Sequence, residues 1–171
     1  MGGPAAPAAG RALFAATRAA GGSDLRPADD PVESLWHAAT CLREHRGDGH
    51  VAALTTAGLD GCEALVLFSA AGGPPADLLR RSRGWSEDEW AFAHERLARR
   101  GLVDGSGATA AGLELRRWVE ATTDDLAGMV TGRVPGSDGD TLHRGLVAVA
   151  DAVRAAGVIH YPNPMGLPGP D

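Results

Sequence analysis

The sequence predicts a mainly α-helical protein built on a winged helix-turn-helix, with a short β-hairpin as the wing and further helices flanking it. Three observations predict this class. Apolar residues recur at helical spacing through most of the chain, interrupted by Gly and Pro at short intervals. Ser86 and Glu89 form a capping box that opens an amphipathic helix. Directly after that helix, two short apolar pieces flank Asp104-Gly-Ser-Gly107, a tight-hairpin pattern.

Residues 1–31 are rich in Ala, Gly and Pro and read as a flexible arm. A short helix over 11–20 is expected within it, with Leu13, Phe14 and Thr17 as a small stripe, ended by Gly21-Gly22. The winged-helix domain runs over 32–157. Its first helix spans 32–46 on Leu35, Ala38, Ala39 and Leu42, and Gly47 stops it. Asp48 then caps a second helix over 50–57, which Gly58 closes. Asp60 or Gly61 opens an apolar helix over 62–71, broken by Gly72-Gly-Pro74, and a short helix follows over 75–81. The helix over 87–100 buries Trp90, Ala93 and Leu97 and ends on Gly101. After the hairpin, a long helix over 110–129 carries Leu113, Leu115, Trp118, Val119, Thr122 and Leu126. Residues 133–140 read as a loop and 141–156 as the last helix. The tail, 158–171, holds four prolines and has no regular structure.

Length and composition bound the function. At 171 residues and 17.5 kDa, with 44% hydrophobic residues, the chain is one globular domain with a short appendage. No run of eighteen apolar residues occurs, and the N-terminus lacks a basic segment followed by a Leu-rich one. A cytoplasmic protein without a membrane partner is expected. Cys41 and Cys62 lie on apolar helix faces without CxxC spacing and read as buried free thiols. The net charge is -6, which gives no general attraction to nucleic acid or anionic lipid. All sixteen cations are Arg, and four of the eight aromatic residues are Trp, spaced as core or boundary positions. No phosphate loop, serine elbow or paired-carboxylate motif appears, so no cofactor is expected.

The densest chemistry lies in Glu44-His-Arg-Gly-Asp-Gly-His50. With a helix break at Gly47, His45 sits in a last turn, where the helix dipole favours a cationic ring. His50 then sits in a first turn, where the dipole favours a neutral one. Opposite biases on two nearby imidazoles suit an acid and a base, with Asp48 orienting either ring, so His45, Asp48 and His50 are the candidate catalytic residues. Arg46 can hold an anionic group on a ligand. Trp36, His37 and Glu44 lie on the same helix, while Tyr161 and Met165 in the tail can fold back as a lid, and these complete the candidate ligand contacts. The ordinary alternative is that Gly47 and Asp48 are plain caps and the histidines packing residues. Three ligand types across a helix break match no metal signature, so no metal is expected.

A winged reader of DNA offers the first turns of its recognition helix to base edges and Arg or Lys to phosphates. Here that helix begins Ser86-Glu-Asp-Glu-Trp90, and the wing tip has no Arg. Acids in a first turn also complement the helix dipole, which is their ordinary role. The basic cluster nearby is Arg80, Arg81 and Arg83, the DNA-contact candidates.

The order of elements, with Arg99-Arg-Gly-Leu-Val-Asp104 leading into the wing and Thr109-Ala-Ala-Gly-Leu113 opening the long helix, resembles the MarR-type regulator pattern. A closer resemblance rests on Trp36-His37, the run from Leu42 to Ala53, Ala57-Gly-Leu59, Arg83-Gly-Trp-Ser86 and Pro162-Asn-Pro-Met-Gly166. These are similar to an actinobacterial family known as helix-turn-helix proteins, and the resemblance covers 32–167. It implies a further helical half on the N-terminal side, supplied by a partner chain or by a second copy, hence a homodimer or heteromer. The residues and the resemblance together point to a winged-helix protein that binds, or acts on, a small molecule such as a metabolite or natural-product intermediate. The alternative is a MarR-like DNA-binding transcriptional regulator, which the charges disfavour. A second alternative is an interaction subunit of a two-half complex.

Overall fold

This computed structural model describes residues 29–131, 136–166 and 169. The arm helix expected over 11–20 lies outside the described residues. Among those described, six helices and one small sheet follow in order: α1 Pro31–Thr56, α2 Gly61–Ala70, α3 Ala76–Ser82, α4 Glu87–Arg99, β1 Val103–Asp104, β2 Gly107–Ala108, α5 Ala110–Thr131 and α6 Gly136–Ala155. No single one of these helices is long and apolar enough to cross a membrane. The chain is mainly helical with a hairpin wing, as its sequence predicts. It divides into two compact units, one of Met1–Gly49 with Thr123–Ile159 and one of His50–Thr122 with His160–Asp171.

The second unit is the winged helix. Asp60 caps α2: its carboxylate accepts from the Glu63 amide at 2.8 Å, and the Glu63 carboxylate accepts from the Asp60 amide at 3.0 Å. Ser86 and Glu89 repeat the device at α4, at 3.2 and 2.9 Å. Leu59, Cys62, Val66, Leu67, Ala93, Leu97, Leu102 and Val103 bury together, with Trp85, Trp90 and Leu115 packed around them. Truncating a buried leucine here, such as Leu97 to Ala, is expected to cost about 2–5 kcal/mol.

The wing is antiparallel, with Val103 opposite Ala108 and Asp104 opposite Gly107. The Asp104 carboxylate accepts from the Ser106 amide at 2.8 Å and hydroxyl at 2.6 Å, which holds the turn. Thr109 then joins wing to helix: its hydroxyl donates to the Gly101 carbonyl at 2.6 Å and accepts from the Gly112 amide at 3.2 Å. A β-carbon at Gly112 would lie 2.0 Å from the Leu102 carbonyl oxygen, so the third residue after Thr109 can only be Gly.

In the first unit, Asp30 caps α1 by accepting from the amides of Val32 and Glu33 at 2.7 and 3.1 Å. Ala38 is buried among Leu35, Leu42 and Leu142. Here the structure corrects the sequence. The two helices expected over 32–46 and 50–57 are one, running unbroken through Gly47, Asp48 and Gly49. Each interior Gly costs about 1 kcal/mol against Ala. At Gly49 packing uses the missing side chain: a β-carbon there would meet Leu126 at 3.2 Å, so α5 seats itself on the glycine. Neither Gly has a positive φ, so neither ends a helix.

Two further differences follow. The loop expected over 133–140 is helical from Gly136 onward. Trp36, expected at the core or its boundary, is 76% exposed.

Candidate functional site

The unbroken α1 removes the helix junction on which an acid–base pair at His45 and His50 was expected. Neither ring lies in a terminal turn, so opposite dipole biases do not arise, and Asp48 is an exposed mid-helix residue instead of a cap. Five residues at 3.6 per turn place His45 and His50 about 140° apart around the helix. His45 is half-buried, and its Nε2 is a buried nitrogen without a hydrogen-bond partner. His50 lines a cavity of about 30 Å³ with Leu54, Leu59, Leu67, Arg116 and Val119. That is room for about two waters, against roughly 300–1,000 Å³ for ligand pockets.

The remaining candidates divide between the units. Trp36, His37, Glu44 and Arg46 belong to the first unit, Tyr161 and Met165 to the second. The His37 ring lies 3.6 Å from the Cys41 sulfur, one turn on. Glu44 pairs with Arg43 at 2.5 Å, and Arg46 with Asp124 at 3.0 Å. The tail folds back within the winged unit: Gly166 sits against Phe68 and Pro74, and the Asn163 side chain accepts from the Met165 amide at 3.2 Å. The Met165 side chain is exposed.

The surface that a winged helix turns toward DNA is acidic. Ala93 and Leu97 face inward on α4, so Asp88, Ala91, Glu95 and Ala98 lie on its outer side, and all four are exposed. Glu95 is paired with Arg99 at 3.9 Å. The Glu89 carboxyl is held below its ordinary range by hydrogen bonds from the Ser86 hydroxyl and amide. Bonds from Ser106 do the same for Asp104 at the wing tip. Both are therefore firmly anionic at neutral pH.

The arginines are mostly spent on carboxylates and carbonyls. Arg80 pairs with Asp77 at 3.8 Å and Glu87 at 3.1 Å, and Arg81 with Asp77 at 3.4 Å. Of the three DNA-contact candidates, Arg83 alone is exposed with no ion pair among the described residues. Two arginines at the end of α4, Arg96 and Arg100, tie it to other elements. Arg96 bridges α4 to the start of α2, binding Asp60 and the buried Glu63, the latter at 2.9 Å. Arg100 donates to the carbonyls of Ala57 and Gly58 at 2.9 and 2.7 Å, closing the end of α1. The Asp60-x-x-Glu63 box is visible in the sequence, but the cation that binds it stands 33 and 36 residues away and no local pattern points to it.

Alongside this face runs a groove of about 450 Å³ between α3 and α4, lined by Asp77, Arg80, Glu87, Trp90, Ala91, His94 and Glu95. Three carboxylates and one guanidinium line it, with an indole in its wall, and each carboxylate is paired with an arginine: Asp77 with Arg80 and Arg81, Glu87 with Arg80, Glu95 with Arg99. Elsewhere, burial pushes the Cys62 thiol up, and the carboxylates of Asp60 and Glu89 push the same way. A thiol so placed is a poor nucleophile. Among the described residues no three His, Cys, Asp or Glu side chains are placed to hold a metal ion.

A family model described as a helix-turn-helix family matches residues 3–160. That match begins well before residue 32, where the resemblance drawn from the sequence begins. No curated protein and no solved structure matches the chain.

Proposed function

The chain belongs to the helix-turn-helix family, and from that premise we propose that its winged unit serves as a binding module for a cationic small molecule, and not as a reader of duplex DNA. The observation that carries the reading is the sign of the charge on the surface a reader would use. Asp88 and Glu95 on the outer side of α4 and Asp104 on the wing would meet phosphates, and the winged stretch 50–122 holds ten carboxylates against eight arginines. Duplex affinity depends on Lys and Arg neutralising phosphates, a term this surface supplies with the wrong sign.

The same charges favour a cation. The groove between α3 and α4 is ligand-sized, its carboxylates are exposed, and Trp90 adds the aromatic face that ammonium and guanidinium groups prefer. A metabolite or natural-product intermediate bearing an amine fits this description. The test titrates benzamidine and tetramethylammonium into the full chain, with thermal shift and tryptophan fluorescence as readouts. Binding weakened by Glu87→Gln and Glu95→Gln, and unmoved by His50→Ala, is the expected result. Binding that follows His50→Ala instead would return the site to the 44–50 stretch. No binding of either probe would overturn the reading.

A DNA-binding regulator is the second reading. Family membership favours it, as does Arg83, exposed on the turn into α4. It predicts duplex binding to the chain's own upstream region at physiological salt, lost in Arg83→Ala. The proposal predicts no such binding.

A further inference from the structure

We infer that residues 11–20 form a helix that docks antiparallel on the outer side of α1, over Val32, Trp36 and Ala39. The inference is independent of what the winged unit binds. The inner side of α1 is marked by Ala38, which is buried among Leu35, Leu42 and Leu142. Helical spacing puts positions 32, 36, 39 and 43 about 100–160° around the helix from Ala38, so they form one row on the far side. Val32 is 67% exposed and Trp36 76%, Ala39 is exposed beside them, and Arg43 closes the row. An indole and a valine one turn apart, both left in water, make an unpartnered apolar face. The chain itself supplies the cover. Residues 1–28, outside the described residues, lead directly into α1, and the family match takes in this arm from residue 3. Within it, Leu13, Phe14 and Thr17 share one side at helical spacing, and five of the ten residues over 11–20 are Ala, the strongest helix former. A helix of ten residues is marginal alone in water, so this one needs a surface on which to bury its stripe. It would be about 15 Å long, and the row from Val32 to Arg43 spans about 16 Å. Residues 21–30 connect the two; extended they reach roughly 33 Å, against 8–10 Å between the axes of packed helices.

Charge sets the direction. Glu33 and Glu44 each follow a member of the row, Val32 and Arg43, by one residue, so both lie on the flank about 100° further round. Arg18 follows Thr17 by one residue, and Arg11 stands two turns earlier, so both lie on the corresponding flank of the arm's stripe. Turning a helix end for end reverses the sense in which its residues advance, so corresponding flanks of two facing helices meet only when the helices run antiparallel. Antiparallel docking therefore sets Arg18 beside Glu33 and Arg11 beside Glu44. A parallel helix would lay both arginines along the other flank, which carries Arg46 and no carboxylate. Glu44 is paired with Arg43 at 2.5 Å, but both side chains are more than 60% exposed, so sharing that carboxylate with Arg11 costs little.

The experiment follows amide hydrogen exchange of the full chain by peptide mass spectrometry at a low and a high protein concentration, with the mass of the species read by light scattering at each. Peptides covering 11–20 should be protected in the monomer, and equally so at both concentrations. Trp36→Asp should speed their exchange about tenfold or more, while peptides from α4, in the winged unit, stay unchanged and report that the chain is folded. Arg18→Glu should speed exchange of 11–20 about threefold, and Arg18→Glu combined with Glu33→Arg should restore it. Exchange of 11–20 at the rate of an unstructured peptide overturns the inference. So does protection that survives Trp36→Asp, protection that appears only in a dimer, which would make a second copy the cover, or a double reversal that exchanges as fast as the single one.

Discussion

Replacing Gly47 by Ala distinguishes an unbroken α1 from two helices meeting at a corner, because the two arrangements give opposite signs. In the unbroken helix Gly47 is an interior position, and a β-carbon there meets nothing within 4 Å. Ala then gains about 1 kcal/mol in helix propensity, with no clash to offset it. In a helix that stops at Gly47, the residue takes a left-handed conformation, and Ala loses about 1 kcal/mol. Asp48→Ala splits the same way. As a cap, its loss costs about 1 kcal/mol; as an exposed interior residue, its replacement gains roughly 0.5 kcal/mol. The assay is thermal and urea unfolding followed by circular dichroism. For a chain of this size 1 kcal/mol moves Tm by about 2–4 °C. The expected result is that both variants melt above wild type. If both melt below it, the reasoning about α1 fails and a junction at 47–48 is restored.

Three further outcomes are expected. Gly112→Ala must displace the Leu102 carbonyl from 2.0 Å, so it should cost about 2 kcal/mol or more despite Ala's better propensity, read as a lower urea midpoint. Ser86→Ala should cost about 1 kcal/mol through the lost cap. The Glu89 carboxyl is lowered in the fold, so its contribution is present above the unfolded carboxylate value of 4.5 and is lost as pH falls through the lower folded one. Glu89→Gln should accordingly flatten the acid side of the stability profile. Cys62, with its raised thiol, should react with iodoacetamide more slowly at pH 7–8 than Cys41, as mapped by peptide mass spectrometry; equal rates would contradict the burial argument.

Features written in neighbouring residues were legible in the sequence. The Ser86 and Glu89 box, the hairpin at Asp104-Gly-Ser-Gly107 and the Thr109-x-x-Gly112 joint each depend on residues within a few positions of one another, and each stands where the pattern puts it. Features decided by distant residues were not. Gly47 reads locally as a helix stop, yet the helix runs through it, and two residues on Leu126 packs against Gly49. That misreading carried the candidate site with it, since the roles of His45, Asp48 and His50 followed from a terminus that the fold does not contain. Trp36 read as a core or boundary residue from its spacing; the spacing is helical, but the side chain is 76% exposed, because Ala38, Leu35 and Leu42 are the residues of α1 that pack with Leu142. The partners of Arg96 and Arg100, some 36 and 42 residues away, lay equally outside any local pattern.

The acids of α4 show how one local requirement bears on function. A helix start leaves free amides and a positive dipole end, and in a winged reader a phosphate is a natural occupant for them. Here the Ser86 hydroxyl already takes the Glu89 amide, and the Glu89 carboxylate takes the Ser86 amide and hydroxyl. Glu87 and Asp88 add two more negative charges to the same turn. At the end of α4 that would receive a phosphate, one free amide is thus already capped and three carboxylates stand in the same turn. Arg80, the nearest cation, is tied to Glu87 and Asp77. A cation approaching the groove shares Asp77, Glu87 and Glu95 with Arg80, Arg81 and Arg99, and binds through the lone pairs that those ion pairs leave on the carboxylate oxygens. The choice of a capping box over an open helix start therefore stabilises the fold and, at the same turn, weights recognition toward positive ligands and away from the DNA backbone.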